Sequence, residues 1–211
     1  MHMLFPTLSR AGEITGEVIL PAIATHGSVP LSPYARARYG AAAGISEGSA
    51  DEFIAVVCID RHINLIPAPP PRDYPVVDQK KLTIVPHLLP IQVGTTVRFT
   101  NSDSIYHNLF SLSPAKRFDL GRYPKGRFRD LTFDKIGVVS VFCDMHATMS
   151  GVIYVMPNSY YVGVKVDGKF RLSDVPAGDY RLMAWHERLG ERSQSVTVPA
   201  EGEVKVNFDY R

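Results

Sequence analysis

Apolar and polar positions alternate along most of this chain in short runs punctuated by Gly, Pro, Asn and Asp. Runs of this length, rich in Val, Ile, Tyr and Phe, predict β-strands. The pattern places strands at 13–20, 53–59, 82–85, 95–100, 138–142 and 151–155. It places more at 160–166, 170–172, 180–185, 195–198 and 203–208. No apolar stretch keeps a helical period for long, and only the alanine-dense 35–43 region suggests a short helical turn. Strands this evenly spaced imply an all-β protein built from sandwiches or barrels.

Two breaks divide the pattern. Ile66-Pro67-Ala68-Pro69-Pro70-Pro71 reads as a stiff, extended linker. Met156-Pro157-Asn158-Ser159 reads as a turn-type break. Residues 67–158 between them suit a small sandwich of their own. The 40–51 stretch, rich in Ala, Gly and Ser, reads as a surface loop.

Composition narrows the function classes. The 211 residues carry a formal net charge of +2, with 45% hydrophobic and 21% charged residues. That balance is ordinary for soluble globular proteins and gives no field that selects nucleic acid or a membrane surface. No run is long and apolar enough to span a bilayer. Met1-His2-Met3 shows no leader and is set aside as a candidate cloning scar. Basic residues do cluster at Lys116, Arg117, Arg122, Lys125, Arg127 and Arg129. They read either as a steering surface for an acidic partner or as a solvated loop whose field Asp119 and Asp130 dilute. The two cysteines, Cys58 and Cys143, are not expected to pair, because Cys58 lies in a run that reads as a buried strand.

The candidate chemistry is concentrated in Cys143-Asp144-Met145-His146-Ala147-Thr148-Met149. A thiolate, an imidazole and a thioether recur at three-residue intervals between two predicted strands. The loop therefore sits at one end of a sandwich. A second imidazole, His107, follows the predicted strand at 95–100. Two imidazoles, a thiolate and a weak thioether are the donor set of a mononuclear blue-copper site. Met145 competes with Met149, although it lies between Cys143 and His146, where its geometry is poor. His87 is the fallback for His107. His62 and His186 read as ordinary surface or sandwich residues.

Residues 74–157 resemble the cupredoxins. The C-x-x-H-x-x-M spacing is that of short-loop members of the amicyanin type. The His107-Asn108 dipeptide and the approach to it from Asn101 also match. The resemblance favours His107 over His87. It implies that His107, Cys143 and His146 surround one copper ion in a near-trigonal plane, with Met149 as the long axial ligand. It implies that Asn108 bridges the two ligand loops by hydrogen bonds, and that His146 is the point of electron exit through an apolar patch. The whole-chain pattern is similar to cupredoxin-domain proteins labelled as methylamine-utilisation proteins. An extracytoplasmic or periplasmic location follows from the resemblance. So does a redox partner such as a c-type cytochrome or an oxidoreductase.

The flanks resemble a second family. Asp167-Gly168-Lys169-Phe170-Arg171-Leu172 and Pro176-Ala177-Gly178-Asp179-Tyr180-Arg181-Leu182 are similar to the carboxypeptidase-regulatory-like, or transthyretin-like, β-sandwich. The opening G-x-V strand of such domains is missing before Tyr160, and Gly16-Glu17-Val18 supplies it. The expected architecture is a cupredoxin Greek-key sandwich at 67–158. It is inserted into a smaller, discontinuous sandwich made of 1–66 and 159–211; the plainer alternative is an irregular N-terminal extension followed by two sequential domains.

One-electron transfer is the leading expectation, with copper delivery or sensing as the alternative. Delivery proteins tend to use exposed Met- or His-rich tracts, and none is present. An enzyme with further copper centres needs H-x-H pairs or a histidine after the cysteine, where this chain has Asp144. No Ser/His/Asp set, phosphate loop or dinucleotide fingerprint is recognisable. The chain is therefore expected not to be an enzyme.

Overall fold

The structure is a computed structural model and describes residues 11–21, 52–60 and 69–211. The expected turn at 35–43, the loop at 40–51, His62 and most of the proline linker fall outside the described residues. The first strands in chain order are β1 (Ala11–Ile19), β2 (Ala55–Ile59), β3 (Val76–Lys80), β4 (Thr83–Val85), β5 (Leu88–Gln92) and β6 (Thr96–Asn101). Next come β7 (His107–Ser113), β8 (Lys116–Tyr123), β9 (Phe128–Thr132), β10 (Gly137–Cys143), β11 (Ser150–Met156) and β12 (Tyr161–Val164). The chain closes with β13 (Lys169–Pro176), β14 (Gly178–His186), β15 (Gly190–Val198), β16 (Glu203–Lys205) and β17 (Phe208–Asp209). The described residues form an all-β protein without a helix.

The middle of the chain forms two facing sheets, ordered β4-β3-β6-β9 and β5-β11-β10-β7-β8. Their inner faces enclose Val77, Val97, Phe99, Leu109, Phe133, Val139, Val141, Ile153 and Val155. Phe99 and Phe133 are fully buried and their ring centroids lie 6.4 Å apart. Burying each such ring stabilises the fold by about 2 kcal/mol. This core holds the end of the sandwich where Cys143 emerges.

Both ends of the chain contribute to a second core. The sheets β13-β1-β16, with β17 on β1, and β12-β2-β14-β15 face each other across Ile14, Val57, Phe170, Leu182 and Phe208. β1 runs antiparallel to β13, from Ala11 opposite Pro176 to Glu17 opposite Lys169. β2 lies between β12 and β14. Gly16 is required by a close approach: a Cβ there would collide with the carbonyl of Val206.

A third apolar layer joins the two sandwiches. Val56, Cys58 and Met183 on one sheet meet Leu88, Val152, Tyr154 and Met156 on the other. Side chains alternate across a strand, so β2 sends Ala55, Val57 and Ile59 into one core and Val56 and Cys58 into this layer. β11 divides its residues in the same way, with Ile153 and Val155 on one side and Val152, Tyr154 and Met156 on the other. That is why both runs are apolar at nearly every position. His87 adds a polar tie, with Nδ1 3.1 Å from the Ser150 carbonyl and Nε2 2.8 Å from the Glu187 carboxylate.

The apolar pattern did not predict five strands: β3, β5, β7, β8 and β9. β9 is exposed at four of its five positions, and β5 carries Pro90. The basic segment read as a solvated loop is instead two strands, β8 and β9, joined by a turn at 124–127.

Candidate metal centre

The His107 side of the centre is built by a loop whose polar side chains replace strand hydrogen bonds. Asn101, buried at the end of β6, donates from Nδ2 to the carbonyls of Ile105 (2.9 Å) and Tyr123 (3.0 Å). Its Oδ1 accepts the Asp103 N–H at 2.9 Å. The turn this creates aims the Asp103 carboxylate at His107 Nε2, 3.0 Å away. The same carboxylate accepts the backbone N–H of Lys81 (2.6 Å) and Leu82 (2.9 Å). Those two residues take the left-handed conformation, with φ of 55° and 59°, and the two bonds offset its cost. Burial raises the affinity of Asp103 for a proton, but the N–H groups of Leu82 and Lys81 and the His107 ring outweigh it. The carboxyl is held below its ordinary range.

The Cys143 side is a tight strand-to-strand loop. β10 pairs with β7, so Cys143 stands opposite Leu109, two residues beyond His107. The Cys143 N–H donates to the Met149 carbonyl at 3.2 Å, and the Met149 N–H donates to the His146 carbonyl at 3.1 Å. These bonds close the loop on itself without any ion.

Three donor atoms converge between the two sides. His107 Nδ1 lies 3.1 Å from His146 Nδ1, and Cys143 Sγ lies 3.8 Å and 3.6 Å from these two nitrogens. A point equidistant from all three atoms lies ~2.0 Å from each, the length of a metal–imidazole bond. His107 donates its Nε2 proton to Asp103, which leaves the Nδ1 lone pair facing this point. Burial, and then the neighbouring His107, hold the His146 ring below its ordinary pKa, which favours the neutral form that binds metals. His107, Cys143 and His146 could together hold a metal ion.

The remaining candidates are placed as follows. Met149 is buried in the same core cluster as Cys143, whereas Met145 is 41% exposed. The Asn108 carbonyl accepts the Asp144 N–H at 3.3 Å, so the link between the two loops runs through its backbone. Its side-chain Oδ1 is buried without a partner. His87 is held between Ser150 and Glu187 and does not join the cluster. His186 is buried and accepts the N–H groups of Arg188 and Leu189 at Nδ1. Both cysteines are free. Asp103 was not anticipated. Its one sequence signal is the four-residue spacing to His107 in a loop that opens with Asn101.

No family model matches the chain, and no curated protein matches it. Solved structures do. A reduced variant of amicyanin is 25% identical over 40% of this chain and 84% of its own, with a TM-score of 0.38. A purple cupredoxin from Nitrosopumilus maritimus is 27% identical over 38% of this chain and 98% of its own, at 0.35. A copper-containing nitrite reductase from Thermus scotoductus is 23% identical over 47% of this chain and 26% of its own, at 0.40. All three likenesses span less than half of the present chain. Among the described residues no helix is long and apolar enough to cross a membrane.

Proposed function

We propose that this protein is a one-electron carrier with a single mononuclear type 1 copper site, and not an enzyme. His107, Cys143 and His146 would bind the ion, with Met149 as the weak axial donor. The observation that carries the reading is the convergence of two imidazole nitrogens and one thiol sulfur within 3.8 Å of one another. When bound, copper would supply the Cu(II)/Cu(I) couple.

The chain does the rest. Cys143 would bind the ion as a thiolate, whose soft sulfur suits the reduced state. Asp103 fixes the tautomer and orientation of His107. The backbone bonds across the Cys143–Met149 loop hold the donors in one arrangement before any ion arrives. Little nuclear rearrangement then accompanies the change of oxidation state. His107, Cys143 and Met149 are at most 2% exposed, while His146 is half-buried, so it is the donor nearest solvent. Electrons would leave through it to a redox partner such as a c-type cytochrome, in an extracytoplasmic compartment.

The same proposal assigns residues 67–158 to the copper domain and residues 1–66 and 159–211 to one discontinuous transthyretin-like sandwich. Pairing of β1 with β13 and burial of β2 among β12 and β14 support that division. The test is an optical and paramagnetic-resonance spectrum after addition of Cu(II). An intense visible thiolate-to-copper band with a narrow hyperfine splitting is expected. A colourless protein, or an ordinary tetragonal Cu(II) signal, refutes the reading. Met149→Leu should keep the colour and raise the reduction potential, because a weaker axial donor destabilises Cu(II) more; an unchanged potential removes Met149 from the ligand set.

A further inference from the structure

The end of the sandwich that carries His146 is apolar at its centre and cationic around it. Leu82, Ile105, Tyr106 and Met145 are all large side chains between 41% and 54% exposed. Leu82 belongs to the β3–β4 turn that Asp103 hooks, and Ile105 and Tyr106 belong to the loop that ends at His107. Met145 precedes His146.

Six exposed cations stand around this crown: Lys80, Lys81, Arg122, Lys125, Arg127 and Arg129. Their positions follow from backbone contacts. The N–H of Lys81 is bound to the carboxylate that holds His107. Arg122 is opposite Asn108, and its Nη2 lies 3.8 Å from Asp144 on the cysteine loop. The Gly126 N–H donates to the Asn101 carbonyl at 2.8 Å, which pins Lys125 and Arg127 beside the His107 loop. Arg129 lies over the ring of Tyr123, whose backbone is opposite His107.

Of the nearby carboxylates, Asp144 faces Arg122, and three others are committed elsewhere. Asp103 holds His107 and two backbone N–H groups. Asp78 accepts from the hydroxyls of Thr100 and Ser102. Asp130 is bound in bidentate fashion by Arg98, at 2.8 Å from both nitrogens. Lys80, Lys81, Lys125 and Arg127 have no ion-pair partner among the described residues. This local excess of cations is larger than the formal net charge of +2 carried by the whole chain.

We infer that this end is a docking surface for an acidic redox protein, whose apolar contact would meet the Leu82, Ile105, Tyr106 and Met145 crown while its carboxylates face the cations. The inference rests on the electron-carrier reading for its purpose, but the surface stands on its own geometry. A rim of charge around an apolar contact raises encounter rates and orients the partner. Electron transfer at this surface would make and break no bond: bound copper in its reduced state would give up one electron, and the partner's oxidised centre would take it.

Two measurements test it. The first uses hexacyanochromate(III), a redox-inert paramagnetic anion, added to the reduced protein and read by NMR. Broadening confined to amides around Lys81, Tyr106, Lys125, Arg127 and Met145 is expected. Broadening spread over the surface, or centred elsewhere, overturns the proposal. The second follows oxidation of the reduced protein by hexacyanoferrate(III), which becomes hexacyanoferrate(II), and by cationic tris(phenanthroline)cobalt(III), which becomes the cobalt(II) complex. The anionic reaction should slow by about tenfold or more from low to high salt, and Lys81→Glu/Lys125→Glu/Arg127→Glu should abolish that slope. An acidic c-type cytochrome should exchange electrons faster than a basic one at low salt. Salt slopes that the variant does not change, or tight capture of a single-stranded oligonucleotide with no preference for the acidic cytochrome, overturn the docking assignment while leaving the carrier reading intact. Failure of every oxidant to react, with the hexacyanochromate pattern present, overturns the carrier reading instead.

Discussion

The two cysteines of this chain are equally buried but lie in contrasting surroundings. Cys58 is 1% exposed and Cys143 is 2% exposed. Cys58 sits in the middle of β2, in the apolar layer between the sandwiches, beside a cavity of about 390 Å³ that Tyr154, Met156 and Met183 also line. Burial pushes its thiol up to about 12, and Asp60 and Glu191 push in the same direction. A proton there stays in place at neutral pH, and the residue behaves as a small hydrophobe. Cys143 sits at a strand end, where the chain turns and two ring nitrogens approach its sulfur. Burial alone therefore does not make a cysteine inert or reactive. What decides is whether the neighbouring atoms favour the proton or can share a cation.

The sharpest way to break this contrast is to replace each thiol by a hydroxyl. Cys143→Ser should abolish the visible copper band, while Cys58→Ser should leave it intact, as read by absorption after Cu(II) addition. Cys58→Ser should instead cost stability, by about 1–3 kcal/mol, because a hydroxyl is buried without a partner. Urea unfolding of the apo-protein measures that cost. If the band follows Cys58, the assignment of the two roles is reversed.

A smaller effect is expected from the group that supports the centre without touching the ion. Asp103→Asn removes the carboxylate from His107 Nε2 and weakens the hooks on Lys81 and Leu82. Copper affinity should fall by roughly 10–100-fold, measured by competition with a chelator, while the band persists. No change in affinity would mean that backbone packing alone orients His107.

The smallest effect lies in the layer that holds Cys58. Desolvation lowers the His87 pKa, but the Glu187 carboxylate and the Ser150 carbonyl outweigh it, and the net shift is upward. A group raised in the folded state adds stability fully below its unfolded pKa of about 6.5 and loses it as pH rises through the higher folded value. The tie between the sandwiches should therefore weaken as pH rises through that raised value, by ~0.5–1 kcal/mol. The slope of stability against pH should flatten in Glu187→Gln. An unaltered slope would remove His87 from the account.

Much of the all-β fold was legible from alternation and punctuation, and least so where strands face water. The runs 53–59, 138–142 and 151–155 correspond to β2, β10 and β11, whose residues are largely buried. β8 and β9 escaped because an exposed strand has no apolar face to show. That the 13–20 strand joins the C-terminal part was expected only from the family resemblance carried by Gly16-Glu17-Val18 and the 167–182 segment; its pairing with β13 came from the structure. The Cys143–Met149 donors were visible because they share one loop. His107 was weaker, since nothing local ties it to them.

By itself the sequence determined the strand-rich character of the chain and the placing of candidate soft donors between two strands. These depend on side-chain period, turn chemistry and ligand spacing, all of which act within a few residues. Tertiary structure alone decided that Asp103 reaches His107, that His87 is committed to Glu187, and that Cys58 faces a partner sheet. It also brought Arg122, the β8–β9 turn and the β3–β4 turn to the end of the sandwich that carries His107. Those facts depend on which strands lie side by side, and that is settled by burial of apolar faces over the whole chain, not by any local run of residues.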